Sequence, residues 1–277
     1  MLDSIILFLR RIRAFLARDW HLTVSYRMQF FLRILSILII VTILFFISKI
    51  FTGFTDPRFA QWRDPLAAWL TGLAVLNYFM TGFSSLASAI RQEQVQGTLE
   101  SMLMTPIGLP TVIVASSAWD FVQATLFSSL YLLFGWLLFD VHYRGSFMLA
   151  LVFLVLTTTV LSCLGILSAS FAMVFKRGDP FGVLLGTGSA LFSGVFFPPQ
   201  LISQYAGAGV GNISRILPPT YGLDGIRRVL IEGQDLSQVQ GPFVTLLLFL
   251  AALLPFSLWV FGRAVRRAKR EGSLIQY

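Results

Sequence analysis

Six apolar runs, at residues 30–51, 66–90, 109–139, 147–175, from 181 onward and 243–261, dictate most of what this chain can become. A hydrocarbon layer of about 30 Å is crossed by roughly 20 helical residues. Inside it every backbone N–H and C=O must find a partner within the protein, which makes the helix the spanning form for runs of this length. The pattern predicts an all-α integral membrane protein of six transmembrane helices. With 56% of its 277 residues hydrophobic and 12% charged, the chain has too little polar surface for an ordinary water-soluble domain. The fifth run stands apart. It carries Gly182, Gly186, Gly188, Ser189 and Gly194 and meets Pro198 and Pro199 early, so close helix contact or a break is expected there. The third run exceeds what a bilayer needs and is expected to tilt or to continue past the membrane surface.

The net charge of +8 does not point to nucleic acid, because lysines and arginines gather at the ends of the apolar runs. Arg33 and Lys49, near the two ends of the first run, are placed to snorkel to the interfaces. One set of ends holds the arginines before residue 30, Arg91, Lys176, Arg177 and the basic residues of 263–270. The other set holds the smaller group Lys49, Arg58, Arg63, Arg144, Arg215, Arg227 and Arg228. The positive-inside rule then predicts a multi-pass protein of the cell (inner) membrane with both termini cytoplasmic. Residues 1–29 are expected to form a cytoplasmic amphipathic connecting helix, residues 30–263 the transmembrane domain and residues 264–277 a basic cytoplasmic tail. On a helical wheel Leu2, Ile5, Leu9, Ile12, Leu16 and Trp20 share one side, opposite Arg10, Arg11 and Arg18, the pattern of a helix lying in the lipid interface. The arginines follow the short apolar stretch of residues 5–9 instead of preceding it, unlike a cleavable signal.

Two polar interruptions have internal structure. Residues 91–106, RQEQVQGTLESMLMTP, predict a short helix over 94–104 with Val95, Leu99, Met102 and Leu103 on one side and Gln96, Glu100 and Ser101 on the other. Gly97 loosens its start, and Thr105, preceding Pro106, is pushed out of the helical region and ends it. Residues 196–241 are too few and too apolar for a separate domain and read as short re-entrant or interfacial helices, tolerated near membrane depth where protein covers them. Within them Thr220 is placed to cap a helix beginning near Tyr221, at the outer interface, with Leu223, Ile226 and Leu230 on one face and Arg227 and Arg228 pointing elsewhere.

Arg91, Glu93, Gly97-Thr98-Leu99-Glu100 and Thr105-Pro106 after the second run are the first block. Phe196-Phe197-Pro198-Pro199, Leu217-Pro218-Pro219-Thr220-Tyr221, Asp224 and Arg227 before the last run are the second. In order and spacing the two blocks resemble the ABC-2 family, the permeases of type-2 ABC transporters. The resemblance implies that the first block is a cytoplasmic coupling helix against an ATPase. It implies that Phe196, Phe197, Pro198, Pro199, Pro218, Tyr221, Asp224 and Arg227 belong to an extracellular re-entrant hairpin that gates the exporter. Two copies of an ABC ATPase subunit would carry ATP and Mg, with no cofactor bound by this chain, and a second permease copy or a similar permease would complete the pathway. The N-terminal signature usual in polysaccharide exporters is missing from residues 18–33. A drug-like or lipid-like amphipath is therefore the expected substrate, with a polysaccharide or glycolipid as the alternative.

Other chemistries find little support. No glycine is followed directly by lysine, so no phosphate-binding loop of the Gly-Lys-Ser/Thr type is present and ATP hydrolysis is expected on another chain. His21 and His142 fall on opposite predicted sides of the membrane and cannot share a metal. Cys163 is alone in an apolar run and reads as a packing residue. Asn212-Ile213-Ser214 matches a glycosylation acceptor, a short and weakly specific pattern. Asp120, inside the third run, is the one intramembrane acid that calls for a partner or a wet cavity, and it is the candidate pathway residue. An ATP-independent channel or secondary transporter is disfavoured by the sparse intramembrane charges and the lack of an evident inverted repeat. A membrane enzyme is disfavoured because Glu93 and Glu100 lack a suitable His or Asp companion.

Overall fold

The computed structural model describes residues 2–53, 64–95, 109–175, 180–197, 204 and 208–270, and no strand occurs among them. Their helices are, in chain order, α1 Leu2–Ser25, α2 Arg27–Gly53, α3 Pro65–Val95, α4 Leu109–Phe139, α5 Phe147–Phe175, α6 Pro180–Phe192, α7 Ala208–Ile216, α8 Pro218–Leu230 and α9 Gln240–Arg270. Five of these, α2, α3, α4, α5 and α9, are long and apolar enough to cross a membrane. Among the described residues the fifth apolar run forms one short helix. Helix α6 has 13 residues, about 20 Å at 1.5 Å per residue, short of the hydrocarbon thickness. It stops because Gly194 adopts φ 87°, a left-handed conformation that only glycine takes without strain, and residues 193–197 bend away.

Helix α3 is the centre of the bundle, packed between α4 and α5. It is the least apolar of the five long helices and the most buried. Lipid explains the pairing of those facts: outer helices must offer oily faces to the bilayer, whereas an inner one meets protein. Thus α2 exposes Phe31, Ile39, Ile43 and Phe46, and α9 exposes Leu248, Leu258 and Trp259. The start of α3 is fixed by Pro65 in its first turn and by Asp64, whose Oδ1 accepts the Ala67 N–H at 3.1 Å. Its far end runs past residue 90, where the second apolar run stops, as far as Val95.

Small residues and hydroxyls make these contacts close. A Cβ at Gly165 of α5 would collide with the Gly82 carbonyl of α3, so the two backbones cross in contact. Between α3 and α4, Ser128 Oγ donates to the Ala74 carbonyl at 2.6 Å, Asn77 Nδ2 to the Ala124 carbonyl at 3.2 Å and Tyr78 Oη to Thr125 Oγ1 at 2.7 Å. Helix α2 lies along α4, with Phe30 against Phe127 at 5.7 Å near one end and Phe45 stacked on Phe139 at 4.4 Å near the other. Helix α1 is pinned to the start of α4: Trp20 meets Trp119 edge-on at 6.0 Å, and Trp119 Nε1 donates to Thr23 Oγ1 at 3.0 Å. Within α1, Arg10, Arg13 and Arg18 are exposed while Ile12 and Leu16 are partly covered.

Helix α8 grips α5. Gly222 faces Thr157 and Gly225 faces the ring of Phe153, each so closely that a Cβ would collide. The N–H groups of Arg144 and Gly145, in the α4–α5 loop, donate to the Leu230 carbonyl at 3.0 and 3.2 Å. Since Thr157 lies about 15 Å along α5 from Phe147, the first turn of α8 sits well inside the bundle and its last turn sits at the loop. Leu223, Ile226 and Leu230 are buried, as their shared face predicts. The expected cap is corrected: α8 begins at Pro218 after an extended Leu217, with prolines at its first two positions and no side-chain cap. Prolines bring a preset φ and have no N–H to satisfy, so Thr220 is left inside the first turn with its hydroxyl unpartnered among the described residues.

Gly225→Ala is expected to destabilise the protein by about 1–3 kcal/mol through overpacking against Phe153, and Phe153→Leu in the same chain to recover part of that loss. A double-mutant cycle on thermal unfolding checks it, and additive effects of the two substitutions would contradict the contact.

Candidate functional site

At the end of the bundle where α3, α5 and α9 begin, backbone carbonyls from α3 and from the bend after α6 converge on one cation. Arg227 of α8 donates from Nε and Nη2 to the Ala68 carbonyl at 3.2 and 2.8 Å. Its Nη2 reaches the Val195 carbonyl at 3.0 Å and its Nη1 the Gly194 carbonyl at 2.6 Å. Trp69 Nε1 takes the next carbonyl, that of Phe196, at 3.0 Å. Three consecutive carbonyls of the bend after α6 are thus paired by side chains of α8 and α3. The bend needs them, because carbonyls of an irregular segment inside a bundle have no helix N–H to pair with. The planar guanidinium fork suits the task, since it directs several N–H bonds at once from a single rigid group.

Gly72 makes room for this junction: a Cβ there would lie 2.8 Å from both Arg227 Nη2 and the Val195 carbonyl oxygen. The guanidinium keeps its charge because arginine holds its proton at neutral pH, and Asp224 on the same helix adds an opposite charge nearby. Around the same break, Thr71 of α3 and Ser189 and Ser193 of the α6 end are buried, and their hydroxyls find no partner among the described residues.

The residues singled out from the sequence fall in three places. Arg227 leaves the face shared by Leu223, Ile226 and Leu230, and its length lets it reach across to α3. Asp224 pairs instead with Arg228, at 3.0 Å and one helical turn away, with both side chains about 40% exposed. Tyr221 donates its hydroxyl to the Arg215 carbonyl at 2.7 Å and approaches Phe249 at 6.2 Å, tying α7, α8 and α9 together. Pro218 is buried, whereas Phe196 and Phe197 are exposed. Pro198 and Pro199 lie outside the described residues.

Asp120 is at the opposite end. It follows Trp119, which holds α1, and its electrostatic neighbours are Asp19 of α1 and Arg33 of α2. Arg33 in turn lies 4.0 Å over the Phe127 ring and 3.5 Å from Gln123 Oε1. The acid therefore belongs to a charged joint between α1, α2 and α4. Of the first motif block, Arg91 is exposed on α3, which also carries the backbone of Glu93. Gly97, Thr98, Leu99, Glu100, Thr105 and Pro106 lie outside the described residues. No group of three or more His, Cys, Asp or Glu side chains is placed to hold a metal ion among the described residues. Cys163 is buried and bonds to the Thr159 carbonyl, a packing role.

Sequence reasoning missed Ala68, Trp69 and Gly72. Ala68 contributes only a backbone carbonyl, which no side-chain pattern reveals. Gly194 was visible as part of a glycine-rich run, though not as the point where the helix stops. Residues 10–231 match the family described as ABC-2 type transporter. No curated protein sequence matches the chain.

Replacing Arg227 with Gln is expected to destabilise the protein by about 1–3 kcal/mol, because it leaves buried carbonyls without their donors. Arg228→Gln breaks only an exposed pair one turn apart, worth about 0.3–0.5 kcal/mol. Thermal unfolding of the two variants in the same detergent, followed by tryptophan fluorescence, reads the contrast; equal losses would remove Arg227 from its central place.

Proposed function

The chain belongs to the ABC-2 type transporter family, and from that premise we propose that it is the permease subunit of an ATP-driven exporter. ATP and Mg are held by two copies of a separate ATPase subunit, and a second permease copy or a similar permease faces this one across the pathway. The carrying observation is the continuity of α3. It extends without interruption from Ala68, where Arg227 binds, to Val95, at the threshold of the proposed coupling segment of residues 91–106. Closure of the ATPases pushes that segment, and α3 passes the displacement to the junction at the other end, shifting the balance between inward-open and outward-open states.

In this reading α6, its bend and the α7–α8 hairpin together fill the place of a sixth span and its outer gate. The depth of Gly222 beside Thr157 supports a re-entrant path for the hairpin, and the pairing of bend carbonyls by Arg227 and Trp69 supports a closed gate. Both termini lie in the cytoplasm. The lack in residues 18–33 of the N-terminal signature usual in polysaccharide exporters favours a drug-like or lipid-like amphipath as cargo.

Two expected outcomes follow from this arrangement. In a Cys163→Ser background, cysteine at Ser237 is expected to react with an impermeant reagent added to intact cells and cysteine at Ser101 is not; the opposite pattern defeats the orientation. In vesicles containing the permease and its ATPase, Glu93→Ala and Leu99→Asp are expected to lower transport and its coupling to hydrolysis, with Gln96→Ala near wild type. A Glu93 carboxylate desolvated against the ATPase would weaken the contact by about 2–5 kcal/mol on removal, an exposed one by far less. Normal coupling in both variants would eliminate residues 91–106 as the drive point.

A further inference from the structure

The last turns of α9 carry a feature that neither the gate nor the coupling segment uses. Phe256 is stacked near Trp259, with centroids 6.3 Å apart and rings 24° from parallel. One turn on, the Arg263 guanidinium lies 3.7 Å over the Trp259 ring. The three residues fall at i, i+3 and i+7, on one stripe of the helix. Phe256 and Trp259 are 52% and 54% exposed, which places that stripe towards lipid rather than protein. Gly262 leaves open space beside Arg266, whose Nη1 would lie 3.7 Å from a Cβ there, so a second guanidinium turns back towards the same turn. Arg263, Arg266 and Arg267 are all exposed.

A guanidinium held face-on to an indole keeps its in-plane N–H groups directed outward, in the fork geometry that matches a phosphate or carboxylate. Among the described residues Arg263 makes no hydrogen bond or ion pair that would occupy that fork. The aromatic pair below it lies at the level where tryptophan marks the boundary between hydrocarbon and headgroup. An anion arriving above an oily stripe in that position carries its own oily part.

We propose that the Phe256–Trp259–Arg263 stripe, with Arg266 beside it, is a binding site for one anionic phospholipid. The phosphate is clamped by the Arg263 fork and an acyl chain lies along Trp259 and Phe256. General attraction of basic residues to a membrane surface needs only charge, whereas this site needs an oriented guanidinium. The proposal depends on α9 being in a membrane and not on the exporter reading.

The test uses the full chain, purified in detergent with equimolar phosphatidylglycerol and phosphatidylcholine and examined by native mass spectrometry. The wild type is expected to retain phosphatidylglycerol over phosphatidylcholine, and Arg263→Gln to lower that preference about fivefold, the effect of one arginine at an anionic surface. Arg263→Lys keeps the charge and loses the fork; it is expected to lose most of the preference as well, and it stands as the second variant if the glutamine form does not fold. Arg144→Gln, at the other end of the bundle, is expected to leave the preference unchanged. Glycerol phosphate in excess is expected not to displace the lipid. Wild-type preference in Arg263→Gln or Arg263→Lys, equal loss in Arg144→Gln, or displacement by glycerol phosphate would each overturn the site.

Discussion

A helix that ends inside a membrane protein has to settle its carbonyls without water, and the organisation of this bundle at one end follows from that requirement. The bend after α6 offers the carbonyls of Gly194, Val195 and Phe196, and donors arrive from two other helices, Arg227 of α8 and Trp69 of α3. In an aqueous loop the same carbonyls would be hydrated at little cost. Where water is scarce, an unpaired polar group costs several kcal/mol, so the break and its donors form one unit. Gly72 and Gly194 are the steric conditions for that unit, one by leaving space for the guanidinium and the other by turning the chain.

The grip of α8 on α5 completes the arrangement. Gly222 and Gly225 bring the α8 backbone against Thr157 and Phe153, and the Leu230 carbonyl is held by two N–H groups of the α4–α5 loop. Arg227 thus projects from a helix fixed to α5 into carbonyls that belong to α3 and to the α6 bend. It joins a firmly packed block to a short helix that packs chiefly on α3.

The long elements were legible in the sequence because spanning a bilayer imposes a length and an oiliness on them. Two runs, 109–139 and 147–175, coincide with α4 and α5. The fifth run was harder to read, since hydropathy registers apolar composition and not whether a glycine continues the helix or ends it. Pro218-Pro219 misled the placement of the α8 start, because hydroxyl caps are the usual signal and a proline pair supplants them. The reach of Arg227 was hidden for a different reason. Its partners are backbone carbonyls more than thirty residues away in one case and well over a hundred in the other, and carbonyls have no sequence. Asp120 was marked as an acid inside an apolar run, but depth along that run could not show that α1 folds back to bring Asp19 near it or that Arg33 of α2 stands close by.

The length of α3 has a mechanical meaning. Its 31 residues make a rod about 46 Å long, so tilting it by about 5° around its middle moves each tip by about 2 Å. Hydrogen bonds between nitrogen and oxygen weaken sharply over a fraction of that distance. The Ala68 carbonyl rides on one tip and Val95 on the other, so a small inclination at the Val95 end is enough to pull Ala68 out of the guanidinium fork. In the proposed function α3 is a long lever whose far arm carries the Ala68 carbonyl, held by two of the four hydrogen bonds that Arg227 makes.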